Sequence, residues 1–350
     1  MTGERIQPAP RNEVELDELL SRPDAPAIGA LAERPGDVMV LGAGGKMGPS
    51  LARMLRRASD EADGRRDARR IIGVSRFSAV GARAALDAVG VETLVCDLSD
   101  ADAVRDLPEI PNIIFMAGQK FGTHDAPAAT WAANTAVPTL VATRFTRSRI
   151  VVFSTGNVYP LTRVSAGGSK ETDPPGPVGE YATSCLGRER IFEHFAAKHA
   201  VPLAIMRLNY AIDLRYGVLV DIALAVHRQE PVDVRMGHVN VIWQGDANAR
   251  AIACLARAAI PPFVVNVTGA KTLRVRDVAA RFGKLLHREP EFTGEEAPDA
   301  LLSDTTLMRE TLGQPSIPAD WMVAAVAEWI EGGGVLLGKP TSFQTRDGRF

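Results

Sequence analysis

Gly42, Gly45 and Gly48 are the first residues in this chain whose type and spacing could do chemistry. They stand in LGAGGKMG (41–48), a G-x-x-G-x-x-G arrangement with Lys46 and Met47 between the last two glycines. Glycine permits a tight turn and lets the backbone approach a pyrophosphate, whose charge then rests on free N–H groups at the start of the next helix. The apolar run DVMVL (37–41) precedes the turn, and Leu51, Met54 and Leu55 follow it at helical spacing. This strand–turn–helix context predicts a dinucleotide site built by Gly42, Gly45, Lys46, Met47 and Gly48. The second apolar run, RIIGV (70–74), leads into Ser75 and Arg76 with no carboxylate at its end. An arginine pairs with a ribose 2′-phosphate where a carboxylate would repel it, so NADP is expected over NAD.

Other chemistries find little support. The six histidines form no HExxH and no Cys/His pair at ligand spacing, so no metal site is expected. His194 and His199 read as surface residues, and His124 as a reserve acid or base. No GxSxG elbow is present, which argues against an α/β-hydrolase. Lys and Arg total 40 against 42 Asp and Glu, and aromatics are 6%, so neither a polyanion-binding surface nor a base-stacking platform is indicated. Cys96, Cys185 and Cys254 are scattered, which suggests a reducing compartment. The N-terminus lacks an apolar signal core, and no apolar run reaches the roughly 18–20 residues of a spanning helix. A cytoplasmic protein is expected, with a small-molecule substrate and with neither nucleic acid nor membrane as partner.

These residues must be positioned by a repeating pattern. Short apolar runs at 70–74, 92–95, 112–117, 149–154 and 202–208 alternate with helix-length segments. That is the signature of an α/β fold, a doubly wound parallel sheet of the Rossmann type covered on both faces. The charged stretch SDEADGRRDARR (59–70) reads as a solvated helix end and loop. Residues 1–35 read as an N-terminal arm packing on the body, 36–208 as the nucleotide-binding domain, and 209–350 as a small C-terminal substrate lobe. Within that lobe 239–268 is expected to return to the nucleotide-binding domain. Helices are expected over 218–229 and 319–331, the latter ending at Gly332-Gly333-Gly334, and 335–350 as an irregular tail.

Taken in order, LGAGGKMG (41–48), CDLSD (96–100), NIIFMAG (112–118), Asn134 in WAANTAVPTL, FSTGNVY (153–159), Tyr181 in EYATS and VNVTGAKTLRVRDVA (265–279) resemble the extended short-chain dehydrogenase/reductase superfamily, specifically the NAD-dependent epimerase/dehydratase family. The resemblance covers about 37–330. It implies that Asp97 and Leu98 lie beside the adenine, that Ala117 and Gly118 pass under the cofactor, and that Asn134 belongs to the same site. It also implies that Thr155 hydrogen-bonds the reacting oxygen and that Tyr181 is the general acid/base. Hydride transfer at a carbinol carbon requires a proton moved at its oxygen, and a phenol of pKa near 10 needs help to act as a base near neutrality. The family supplies a lysine four residues after the tyrosine. A homodimer is expected by analogy with the superfamily.

Two departures stand out. The lysine position holds Cys185, which carries no positive charge. Lys120, past the end of the fourth strand, could supply a cation from another side; Arg188 shares the helix face but lies one turn further along. Arg207-Leu208-Asn209-Tyr210-Ala211 differs from the stretch that usually marks nucleotide-sugar enzymes, and only about 37 residues separate Asn209 from Asp246. A small sugar, sugar acid or related hydroxy or keto compound is therefore expected over a nucleotide diphosphate sugar. Arg215, Tyr216, Arg235, His238 and Trp243 are candidates to line its pocket. The resulting expectation is an NAD(P)-dependent oxidoreductase, epimerase or dehydratase with Thr155, Tyr181 and Lys120 as catalytic residues. The alternative is a catalytically impaired NAD(P)-binding protein acting as a redox sensor or interaction partner.

Overall fold

The computed structural model describes residues 8–120 and 125–349. Its centre is a seven-stranded sheet in which every neighbouring pair is parallel. From one edge to the other the strands are Phe263–Val267, Leu203–Leu208, Arg149–Thr155, Asn112–Phe115, Val38–Leu41, Ile71–Ser75 and Glu92–Val95. Val38–Leu41 and Asn112–Phe115 are buried along their whole length, as expected of strands covered on both faces. The strand order reverses between those two, so the crevice at their carboxyl ends is the topological switch point where such sheets bind ligands.

Helices cover both faces. One apolar layer packs Leu51, Met54 and Leu55 against Val38, Val40 and Ile114. The other packs Val141, Phe145 and Phe192 against Ile113, Phe115 and Ile150. Burial of each such side chain contributes about 1.5–3 kcal/mol. The seventh strand, Phe263–Val267, belongs to 239–268 and completes the sheet beside Leu203–Leu208. A separate core of the C-terminal lobe is built from the helices Val218–Arg228, Val275–Leu285 and Ala319–Glu331. The last of these ends at Gly332.

Both helices of the arm are tied to the body. Leu16 and Leu20 of Glu13–Leu20 enter the lobe core, while Ala27 and Leu31 of Ala25–Glu33 enter the sheet layer. The buried Arg250 pairs with Asp24, the N-cap of the second arm helix. This corrects one expectation for the charged stretch 59–70. Arg69 is not solvated but buried, paired with Asp63, and it donates to the Leu31 and Arg34 carbonyls at 3.0 and 3.2 Å. Its charge-assisted bonds hold the arm, which the charge run alone could not show. Among the described residues no helix is long and apolar enough to cross a membrane.

Candidate active site

The glycine turn sits at the switch point. Gly42 has φ +101°, in the region that favours glycine, and a Cβ there would lie 2.8 Å from the Ala117 backbone nitrogen. The turn thus requires glycine both for conformation and for the close approach of the two switch-point strands. Helix Gly48–Asp63 starts immediately after it, with Pro49 in its first turn. A cradle that a Cβ would fill, followed by a helix of 16 residues, fits a dinucleotide pyrophosphate. Arg76 at the end of the second strand is largely exposed and stands 4.0 Å from the Asp97 carboxylate beyond the third. Leu98 is buried in the sheet layer beside them.

One cavity of about 290 Å³ joins this turn to the residues of the fifth strand and the long helix. It is lined by Gly42, Lys46, Lys120, Thr155, Tyr181 and Tyr216, among others. Thr155 ends the fifth strand and caps the short turn after it, accepting from the Asn157 backbone N–H at 3.2 Å and from its side-chain amide at 3.0 Å. Tyr181 lies in the first turn of helix Gly179–His199. The Thr155 hydroxyl is hydrogen-bonded to the Tyr181 phenol. Sequence positions 26 apart are thus brought together in one cavity by the βα unit that carries both.

Tyr181 has an electrostatic setting of its own. Burial, and then the neighbouring Cys185, hold its hydroxyl well above the ordinary range; Arg188 and the Thr155 bond pull it down. Cys185 is fully buried against Val158 and Tyr159, and its thiol is hydrogen-bonded to Tyr181. Lys120 reaches the same cavity, where its ammonium donates to the Thr341 carbonyl at 3.4 Å and lies within the field of Cys185 and Asp221. Burial lowers Lys120 to about 8. It does so for Lys46 as well, again to about 8.

Arg188 is the residue that sequence spacing undervalued. A helical side chain points back towards the N-terminus, so the extra turn does not put it out of reach. Its guanidinium is buried, donates to the Phe153 carbonyl at 2.8 Å and is hydrogen-bonded to Asn134 Oδ1. Gly118 leaves it room, since a Cβ there would lie 2.2 Å from Nη2. Asn134 belongs to the same network. It is fully buried, and its side chain is bonded to Arg188, the Gln119 backbone and the Ser184 hydroxyl. It ties the loop after the fourth strand to the long helix.

Of the five lining candidates, the structure brings two to the crevice. Tyr216 lines the cavity that holds Thr155 and Tyr181, and Arg215 a neighbouring one of about 520 Å³, which Tyr216 also borders. The others lie elsewhere. Trp243 is buried in the lobe core, edge-on to Trp321, because its apolar surface is better satisfied there than at a wet site. Arg235 is drawn to Asp233 on the surface, and His238 pairs in a short strand with Arg274. Arg207 is buried against Glu189 and Tyr159, so it is structural. Tyr210, Asp221 and Thr341 were missed by sequence reading; the fold brings the three together. Thr341 N and Oγ1 donate to the Asp221 carboxylate, so the tail read as irregular contributes to the cavity lining. His124 lies outside the described residues, and His194 and His199 are exposed.

A doubly wound nucleotide-binding fold with a Thr–Tyr pair beside its glycine turn defines a dinucleotide-dependent enzyme class. The chain belongs to the NAD-dependent epimerase/dehydratase family, whose model matches residues 38–212. Solved structures agree in fold. A UDP-glucose 4-epimerase from Thermotoga maritima aligns with TM-score 0.66 at 15% identity, over 85% of this chain and 99% of that one. A UDP-glucuronic acid 4-epimerase from Bacillus cereus, in complex with NAD, aligns with TM-score 0.69 at 15% identity, over 84% and 98%. A dTDP-glucose 4,6-dehydratase from Bacillus anthracis gives 0.69 at 12%, over 85% and 97%. No curated protein matches the sequence.

Proposed function

We propose that this chain is an NADP-preferring enzyme that oxidises, reduces, epimerises or dehydrates a small sugar, sugar acid or related hydroxy or keto compound by hydride transfer. The observation that carries this reading is the hydrogen-bonded Thr155–Tyr181 pair in the cavity that the glycine turn also lines. The backbone of Gly42, Gly45, Lys46, Met47 and Gly48 would hold the dinucleotide phosphates, Ser75, Arg76, Asp97 and Leu98 its adenosine end, and Ala117 and Gly118 would run beneath it. The cofactor, when bound, supplies the hydride acceptor or donor. Thr155 holds the substrate oxygen and orients the phenol. Tyr181, held protonated by burial and by Cys185, is set to give a proton to a forming alkoxide. Cationic charge at this centre comes from Arg188, acting on Tyr181 directly, and from Lys120, placed near Cys185 where the family lysine would be.

Retention of both hydroxyls favours an enzyme over a mere nucleotide binder, which needs neither. The test is a fluorescence titration of NADPH and NADH, then a screen of neutral sugars, sugar acids and nucleotide sugars for cofactor turnover. Tyr181→Phe is expected to bind NADPH with unchanged affinity and to lose turnover by a factor of about 10² or more. Full turnover in Tyr181→Phe would remove the proposed role, and tight cofactor binding without turnover on any arm would sink the enzyme reading.

A further inference from the structure

Lys46 lies inside the glycine turn, yet its side chain leaves the cofactor side. Its ammonium sits 3.8 Å from the centre of the Tyr216 ring and 3.5 Å from the Ala211 carbonyl, both belonging to the lobe. Lys120 leaves the fourth strand in the same direction, towards Thr341 and Asp221. The two ammonium groups are close enough to repel one another, and both line the cavity that holds Thr155 and Tyr181. Two like charges brought together in a half-buried pocket are costly unless an anion sits between them. The charged groups acting on Lys46 are Asp213, Asp221, Lys120 and Arg215. Arg215 is already ion-paired with Asp213, Asp17 and Glu13, and the charged residues that line the cavity beside Thr155 and Tyr181 are Lys46 and Lys120.

We propose that the substrate is a small organic acid whose carboxylate is received between Lys46 and Lys120 while its reacting oxygen meets Thr155 and Tyr181. Charge-assisted hydrogen bonds from two ammonium groups are the strong kind, and they strengthen as the cavity excludes water. Asp221 acts on both lysines and offsets part of their charge, so a monoanionic carboxylate suits the pair better than a phosphate dianion. The cavity of about 290 Å³ also takes in the glycine turn, so only a small substrate shares it with the cofactor. The tail already shows what the pocket takes: Lys120 holds the Thr341 carbonyl oxygen, and a carboxylate oxygen would take that place. This inference rests on the reading above and deepens it.

The test is calorimetric titration of the NADPH-loaded protein with D-glucuronate, D-glucose and glucose 6-phosphate, repeated on Lys46→Met and Lys46→Arg. Glucuronate is expected to bind at least tenfold tighter than glucose and tighter than the phosphate ester. Lys46→Met is expected to lose about tenfold in glucuronate affinity, with Lys46→Arg restoring most of it and the NADPH affinity within twofold throughout. Equal binding of glucose, preference for the phosphate ester, no glucuronate binding at tens of millimolar, or a loss confined to NADPH in Lys46→Met would each overturn the proposal. The last result would turn Lys46 towards the cofactor phosphates instead. The outcomes separate the two readings: acid binding without cofactor turnover keeps the carboxylate site between Lys46 and Lys120 but removes the enzyme reading and with it the substrate role, whereas turnover of neutral sugars keeps the enzyme reading and removes the carboxylate site.

Discussion

The Cys185 thiol is hydrogen-bonded to the Tyr181 hydroxyl one helical turn earlier, in the place from which the family's lysine would act. The thiol is fully buried against Val158 and Tyr159. The centre is therefore not a standard site with one residue deleted. It is packed around a small buried thiol, with the Arg188 guanidinium acting on Tyr181 and the Lys120 ammonium on Cys185.

Restoring the lysine should consequently fail. Cys185→Lys forces a long cation into a filled space next to the Arg188 guanidinium. A loss of about 2–4 kcal/mol in folding stability is expected, from overpacking and an unpaired buried charge. Urea denaturation measures it, and turnover should fall rather than rise. A stable, more active Cys185→Lys protein would show that the natural site is merely crippled.

The pH profile should report a lysine and not the tyrosine. Burial lowers Lys120 to about 8, so its charge is present below that pH and is lost as pH rises through it. Tyr181 is held above its ordinary range and stays protonated across the same window. Turnover limited by the Lys120 charge should fall above about pH 8. Lys120→Arg should move that falling limb upward by roughly one unit or more, since a guanidinium stays charged. Lys46, also at about 8, is the control, and Lys46→Arg should leave any limb owned by Lys120 in place.

Arg188 joins the Phe153 carbonyl, Asn134 and, through Asn134, Gln119 in the loop after the fourth strand. Arg188→Met leaves those buried acceptors without a donor and should cost about 2–3 kcal/mol. The loop under the cofactor loses its anchor, so NADPH affinity should drop together with stability. Chemical denaturation and fluorescence titration on the same preparation check both. Unchanged NADPH binding in a destabilised variant would confine Arg188 to packing.

Arg76 is exposed and 4.0 Å from Asp97, so its removal touches no core. Arg76→Ala should weaken NADPH by about tenfold, the loss of one charge-assisted contact, and leave NADH unchanged. Thermal stability should stay within about 0.5 kcal/mol of the parent, as for most surface substitutions. Equal effects on both nucleotides would remove the NADP preference.

Much of this protein is legible locally. The glycine turn, the alternation of short apolar strands with helices and the Gly332 stop are near-neighbour patterns, because backbone conformation and one-face burial are set within a few residues. The motifs from LGAGGKMG to EYATS carried the family for the same reason. What sequence spacing could not give is where long side chains end. Lys46 sits in a cofactor motif and points into the lobe, while Arg188, apparently a turn too far, reaches back to Asn134. Arg69 lies in a charge run yet holds the arm. Nor did the tail announce that Thr341 would bond Asp221, 120 residues earlier, and contribute to the cavity lining. The sequence determined the sheet, the turn and the presence of Thr155 and Tyr181; the tertiary structure decided that the two meet and which charges surround them, because a charge seeks its partner in space rather than along the chain.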